Sequence, residues 1–181
     1  MTRFGWVMAT YFATMGVTIS AFVEMPRRLI WNASASAPIG LYAVDAPDGI
    51  EVTDLAIVVP PEPVASFLSS NGYIPRGVPL MKRLLALPGQ RVCRKDLLIS
   101  VNGIAMGTAR ERDSRGRDLP KWQGCRTLRD GEVFLMNWQS ADSLDGRYFG
   151  PLPASSIVGR AMPLWTDEDG DGHFHWRGPT R

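Results

Sequence analysis

Residues 80–87 read Leu-Met-Lys-Arg-Leu-Leu-Ala-Leu and run straight into Pro88-Gly89. A short apolar run closed by a turn signal predicts a strand rather than a helix. A strand this apolar belongs in a core, yet it carries two cations, and an unpaired buried charge is costly. Two readings follow. At a sheet edge Lys82 snorkels out to water, with Arg83 on the opposite face. Alternatively Lys82 is buried, and desolvation lowers its pKa by up to several units. A lysine that is neutral near pH 7 to 8 is a base, able to take a proton from a serine hydroxyl, itself a weak nucleophile. Such a pair needs no histidine, and the only two here, His173 and His175, lie in the tail.

A serine for that lysine stands upstream, in Asn32-Ala33-Ser34-Ala35-Ser36-Ala37-Pro38-Ile39-Gly40-Leu41-Tyr42. Small residues give way to a Pro and Gly turn and then to a strand beginning at residue 39. A serine at such a strand entry is open to an extended peptide. If the segment is itself extended, Ser34 and Ser36 share a face. Taken alone, the same composition also describes a linker. A third stretch, Ser143-Leu144-Asp145-Gly146-Arg147-Tyr148-Phe149-Gly150-Pro151, places Asp145 and Arg147 two apart. In a strand they point the same way and can pair, either as a surface ion pair of little worth or as support for the lysine.

The chain has 181 residues with 18 glycines, 14 prolines and a net charge of +2. That predicts one principal, loop-rich β domain and gives no reason to expect direct nucleic-acid binding. Strands are expected at 39–44, 55–59, 80–87, 132–136 and 156–164. Two more fall within 91–101, with Asn102-Gly103 as a hairpin turn. A short helix is expected at 62–70, with Pro63 in its first turn. The Arg-rich segment 109–129 reads as an exposed loop or hairpin. The acidic segment 167–172 resembles the front of a calcium loop but lacks its closing carboxylate, so it reads as a solvated turn. With no third ligand near the two histidines, no metal or cofactor is expected.

Residues 4–23 carry no charge. A membrane-spanning helix needs roughly 20 apolar residues, so residues 1–24 are read as an N-terminal transmembrane anchor and 25–181 as the β-rich body. A cleaved signal peptide and a buried core helix are the alternatives. Residues 25–31 read as an interfacial connector. Cys93 and Cys125 sit in no metal-binding motif. They pair if the body lies in an oxidising compartment, and otherwise are two free thiols.

The three stretches, in this order, resemble the type I signal peptidases, the Ser-Lys peptidases, and within them the TraF branch that serves conjugative transfer. The segment 34–42 is similar to the family's nucleophile box. Lys82-Arg83-Leu84-Leu85-Ala86-Leu87-Pro88-Gly89 is similar to its lysine box. Residues 145–153, with Ile157-Val158-Gly159-Arg160-Ala161, are similar to its last box. The resemblance implies Ser36 as nucleophile and Lys82 as general base. It implies Ser34 and the Ser36 N–H as the oxyanion hole, with Ser143 orienting the lysine and Asp145 and Arg147 in support. Where the housekeeping enzymes have methionine after the serine, this chain has Ala37. The implied fold is a mainly β body behind a membrane segment in a bacterial inner membrane, with the catalytic domain in the periplasm. The implied partners are a pilin or other secretory precursor, membrane lipid and transfer-apparatus proteins. The implied activity is processing of a pilin precursor, ending in hydrolysis or in cyclisation. A general leader peptidase and a catalytically idle assembly component are the alternatives. A self-cleaving repressor would need a DNA-binding domain, and only about 30 mostly apolar residues precede the serine.

Overall fold

A computed structural model describes residues 2–22 and 29–178. Helix α1, Arg3–Phe22, forms over the uncharged N-terminal run. Phe4, Trp6 and Val17 on it are exposed, which excludes a buried core helix. The transmembrane reading is corrected as well: no described helix is long and apolar enough to cross a membrane. Thr10, Thr14 and Thr18 turn their hydroxyls back onto the carbonyls of Trp6, Thr10 and Thr14. They satisfy themselves locally but leave the helix less apolar. The connector expected at 25–31 falls mostly outside the described residues, and its end is strand β1, Leu29–Asn32.

The body is built on β2 (Ile39–Asp45), β3 (Leu55–Val58), β4 (Leu80–Ala86), β9 (Glu132–Leu135), β10 (Leu152–Pro153), β11 (Ile157–Asp167) and β12 (His175–Trp176). Among the described residues these form, with β1, an eight-stranded sheet in the order β1-β2-β11-β3-β4-β9-β10, with β12 on β11. A second sheet runs β7-β6-β5-β8, from β5 (Arg91–Lys95), β6 (Leu98–Val101), β7 (Ile104–Thr108) and β8 (Gly124–Thr127). Asn102, with φ of 50°, and Gly103, with 84°, make the β6–β7 hairpin turn, as the Asn-Gly pair requires. Cys93 of β5 lies opposite Cys125 of β8 and is bonded to it.

Strand β4 is apolar throughout because the core lies on both of its faces. Leu84 packs with Ala56, Val58 and Leu135 under helix α2, Glu62–Ser70, which contributes Val64 and Leu68. Leu85 and Ala86 pack instead with Val92, Ile99 and Phe134 against the second sheet. A strand buried on both faces shows no alternation. This also decides between the two readings of the basic pair, since Lys82 and Arg83 are 5% and 4% exposed.

Segment 109–129 is less exposed than its arginines suggest. Leu119 is buried against Ala109 and Tyr148, Arg117 lies over the Tyr73 ring, and Asp113 accepts from the Tyr73 hydroxyl. In the acidic tail, the Asp167 carboxylate accepts the backbone N–H groups of Gly170, Asp171 and Gly172. That closes a turn around the aspartate.

Gly40 is where the nucleophile stretch enters the sheet. It pairs with Thr166 at φ of 149°, and a Cβ there would stand 2.2 Å from the Trp165 carbonyl oxygen. Neither conformation nor space admits a side chain. Gly40→Ala is therefore expected to lower stability in urea denaturation by at least about 2 kcal/mol; a change within about 0.5 kcal/mol would contradict the close approach of β2 to β11.

Candidate active site

The stretch 33–38 does not run as an extended strand. Ala35 and Ser36 form a turn between β1 and β2, closed by the Ala37 N–H on the Ser34 carbonyl. The sequence reading placed both hydroxyls on one face, and they do meet, at 3.1 Å, but through the turn. Two side chains from the flanking strands hold it. The Asn32 carboxamide donates to the carbonyls of Ser34, Ala37 and Pro38 and accepts from the Ser34 N–H. The buried Tyr42 hydroxyl donates to the Pro38 carbonyl at 2.7 Å. Ala37 is buried beside Tyr42 and Met81, so the smaller residue still packs.

Lys82 reaches this turn from β4. Its Nζ donates to Ser143 Oγ at 2.8 Å and lies 3.4 Å from Ser36 Oγ. Burial pulls the Lys82 pKa from 10.5 down to about 8; Asp145 pushes it back up and Arg147 pushes it further down. The amine is thus close to half neutral just above physiological pH, and it touches a serine hydroxyl. That arrangement fits a general base with its nucleophile.

Asp145 and Arg147 are not in a strand. Asp145 caps the short helix α3, Gly146–Phe149, by accepting the Arg147 N–H. Its two oxygens also take Arg147 Nε and Nη2, both at 2.9 Å. Arg147 Nη2 continues to the carbonyls of Ser140 and Ser143. The pair is buried, at 0% and 2% exposure of its side chains, so it is not the weak surface contact that spacing alone allowed. Breaking such a pair typically costs ~3–5 kcal/mol. It holds the loop that carries Ser143. Arg94, buried in the second sheet, donates to the Arg147 carbonyl at 2.6 Å and ties that sheet to the same loop.

Ser34, Ser36, Lys82, Ser143, Asp145 and Arg147 therefore form one connected cluster, while the Cys93–Cys125 bond lies in the second sheet. The Ser36 N–H donates to Ser34 Oγ at 3.4 Å, so the two groups suggested for the oxyanion hole lie together next to Ser36 Oγ. Two cluster members were missed by the sequence reading. Asn32 stood in the nucleophile stretch with no role given, and Asn137, directly after the strand expected at 132–136, was given none either. Asn137 Nδ2 donates to the Ser36 carbonyl at 2.7 Å and to the Met81 carbonyl at 3.2 Å. Its Oδ1 accepts from the Arg83 N–H. The available signal was weak: an asparagine directly after an apolar strand, which equally describes a turn.

Two hollows meet at Ser36. One, of about 470 Å³, is lined largely by apolar groups, among them Ile30, Trp31, Ile74, Val78 and Met81, and ends at Lys82. The other, of about 340 Å³, runs past Ala37 and Gln139 to Asp167, Glu168 and Asp169.

Comparison with known proteins follows the same outline. The family model described as signal peptidase, peptidase S26, matches residues 1–165. The conjugal transfer protein TraF of Agrobacterium fabrum (strain C58 / ATCC 33970) is 36% identical over 145 residues, which cover 75% of this chain and 81% of that one. The plasmid transfer protein TraF of Escherichia coli is 32% identical over 160 residues, 83% of each chain. A probable signal peptidase I-1 of Synechocystis sp. (strain ATCC 27184 / PCC 6803 / Kazusa) is 30% identical over 112 residues, 62% of this chain and 53% of that one.

The buried lysine has a signature in stability. Its folded pKa lies below its unfolded value, so between about 8 and 10.5 the unfolded chain binds more protons and stability rises with pH. Against a Lys82→Met variant, the wild type is expected to gain roughly 3 kcal/mol across that window, with a constant difference below it. Denaturant melts at several pH values measure this; a difference independent of pH would mean that Lys82 titrates normally.

Proposed function

The chain belongs to the peptidase S26 family of signal peptidases, and on that premise we propose that it is a Ser-Lys endopeptidase that processes a pilin precursor for conjugative transfer. The observation that carries the chemistry is the contact of the buried Lys82 amine with Ser36 Oγ. The relatives named as TraF support the conjugative setting.

The mechanism uses the cluster directly. Neutral Lys82 accepts the Ser36 hydroxyl proton as Oγ attacks the scissile carbonyl carbon. The developing oxyanion takes the Ser34 hydroxyl and the Ser36 N–H, which give up their contact with each other. One such donor is typically worth ~3–4 kcal/mol. The C–N bond then breaks, Lys82 passes its proton to the leaving amine, and an ester to Ser36 remains. Water, deprotonated by Lys82, releases a linear acid. If instead the α-amine of the same substrate attacks the ester, the product is a cyclic peptide. Ser143 and the Asp145–Arg147 pair hold the lysine in place, and no metal or cofactor is needed.

The apolar and acidic hollows that meet at Ser36 offer room for the substrate chain on the two sides of the scissile bond. The disulfide between Cys93 and Cys125 suits an oxidising compartment. That bond supports reading the catalytic body as periplasmic, at a bacterial inner membrane.

Co-expression with the candidate pilin precursor tests the reading by mass spectrometry. Trimmed precursor is expected with the wild type and none with Ser36→Ala or Lys82→Ala. A product one water lighter than the trimmed linear peptide identifies cyclisation. Processing that survives either substitution contradicts the dyad.

A further inference from the structure

Asn137 stands where the two halves of the cluster join. Ser36 lies on the turn between β1 and β2, and Lys82 lies on β4. These are not neighbouring strands, because β11 and β3 separate β2 from β4 in the sheet. Among the described residues no single strand ladder therefore joins the serine to the lysine. The Asn137 side chain spans the gap. Its Nδ2 binds the carbonyl of Ser36, while the same carboxamide binds the backbone on both sides of Lys82, at the Met81 carbonyl and the Arg83 N–H.

Asn137 is itself held. Its own N–H donates to Asp145 Oδ2 at 3.1 Å, and its side chain is buried, with the residue 3% exposed. The charged pair that supports the Ser143 loop thus also fixes the start of the segment carrying Asn137. The side-chain chemistry is specific. Two carbonyls need a donor and one N–H needs an acceptor, and a single planar amide supplies both. Aspartate has the same shape but faces the two carbonyls with an acceptor, and alanine supplies neither group.

We propose that Asn137 is the positioning residue that sets the Ser36-to-Lys82 separation by clamping the nucleophile turn onto the backbone flanking the lysine. It touches neither substrate nor the reacting atoms. Its contribution is to the rate of proton transfer from a bound substrate complex, because transfer depends steeply on the approach of base to hydroxyl. Substrate binding in the apolar hollow does not pass through it. The inference rests on the reading of Ser36 and Lys82 as nucleophile and base.

The test uses the full chain and a synthetic peptide spanning the pilin-precursor junction, its cleavage first shown to require Ser36. Asn137→Ala and Asn137→Asp are each expected to lower kcat at least tenfold and leave KM within threefold, at a temperature where the melt shows a folded protein. Asn137→Asp keeps the acceptor for the Arg83 N–H, so its loss reports the donor contacts with the Ser36 and Met81 carbonyls. A folded variant with kcat within threefold of wild type, or a loss carried by KM alone, overturns the proposal. If neither variant folds, the wild type decides by NMR. Asn137 carboxamide protons protected from solvent exchange support the clamp, and exchange at the rate of a free amide overturns it. Cleavage that persists in Ser36→Ala would instead remove the dyad reading, while the exchange result would still show whether the clamp exists.

Discussion

The desolvated amine of Lys82 is the constraint on which the rest of the site depends. An ammonium group in this position is penalised, and relief comes either from losing the proton or from nearby oxygens. The structure offers both. Ser143 and Ser36 supply hydroxyls, Asp145 supplies a charge at longer range, and Arg147 offsets that charge. The balance leaves the amine near 8, neither the ordinary cation nor a base too weak to use. A serine hydroxyl beside it gains a proton acceptor without a histidine.

The neighbouring parts keep that amine dry and in register. Strand β4 is covered on one face by α2 and its core and on the other by the second sheet. The Asp145–Arg147 pair fixes the Ser143 loop, and Arg94 links that loop back to the second sheet. Asn32, Tyr42 and Asn137 hold the nucleophile turn from three sides. Each holds the turn through a backbone carbonyl, so none of the three occupies the Ser34 or Ser36 hydroxyl.

The sequence showed the strands whose signals are local. The apolar run at 80–87, the Asn102-Gly103 hairpin and the helix at 62–70, with Pro63 at its start, all stand close to where their residues place them. Lys82 was legible because a lysine in a doubly buried strand conflicts with its surroundings, and that conflict is visible in one dimension. What was not legible depends on partners distant in sequence. Ser34 and Ser36 meet through a turn fixed by Asn32. Asp145 and Arg147 meet through a helix cap rather than a strand. Asn137 acts on residues 101 and 56 positions away, and nothing in its neighbours announces that. The N-terminal run was read as a span on its length and lack of charge, and no described helix is long and apolar enough to cross a membrane.

The most direct measurement is the titration of the Lys82 side chain itself, followed by NMR on lysine labelled at its terminal carbon and nitrogen in the wild-type protein. A midpoint near 8, as its burial dictates, is the expected result. A midpoint at the ordinary value of about 10.5 would mean that the amine is solvated and charged at working pH. The account of Ser36 activation would then fail.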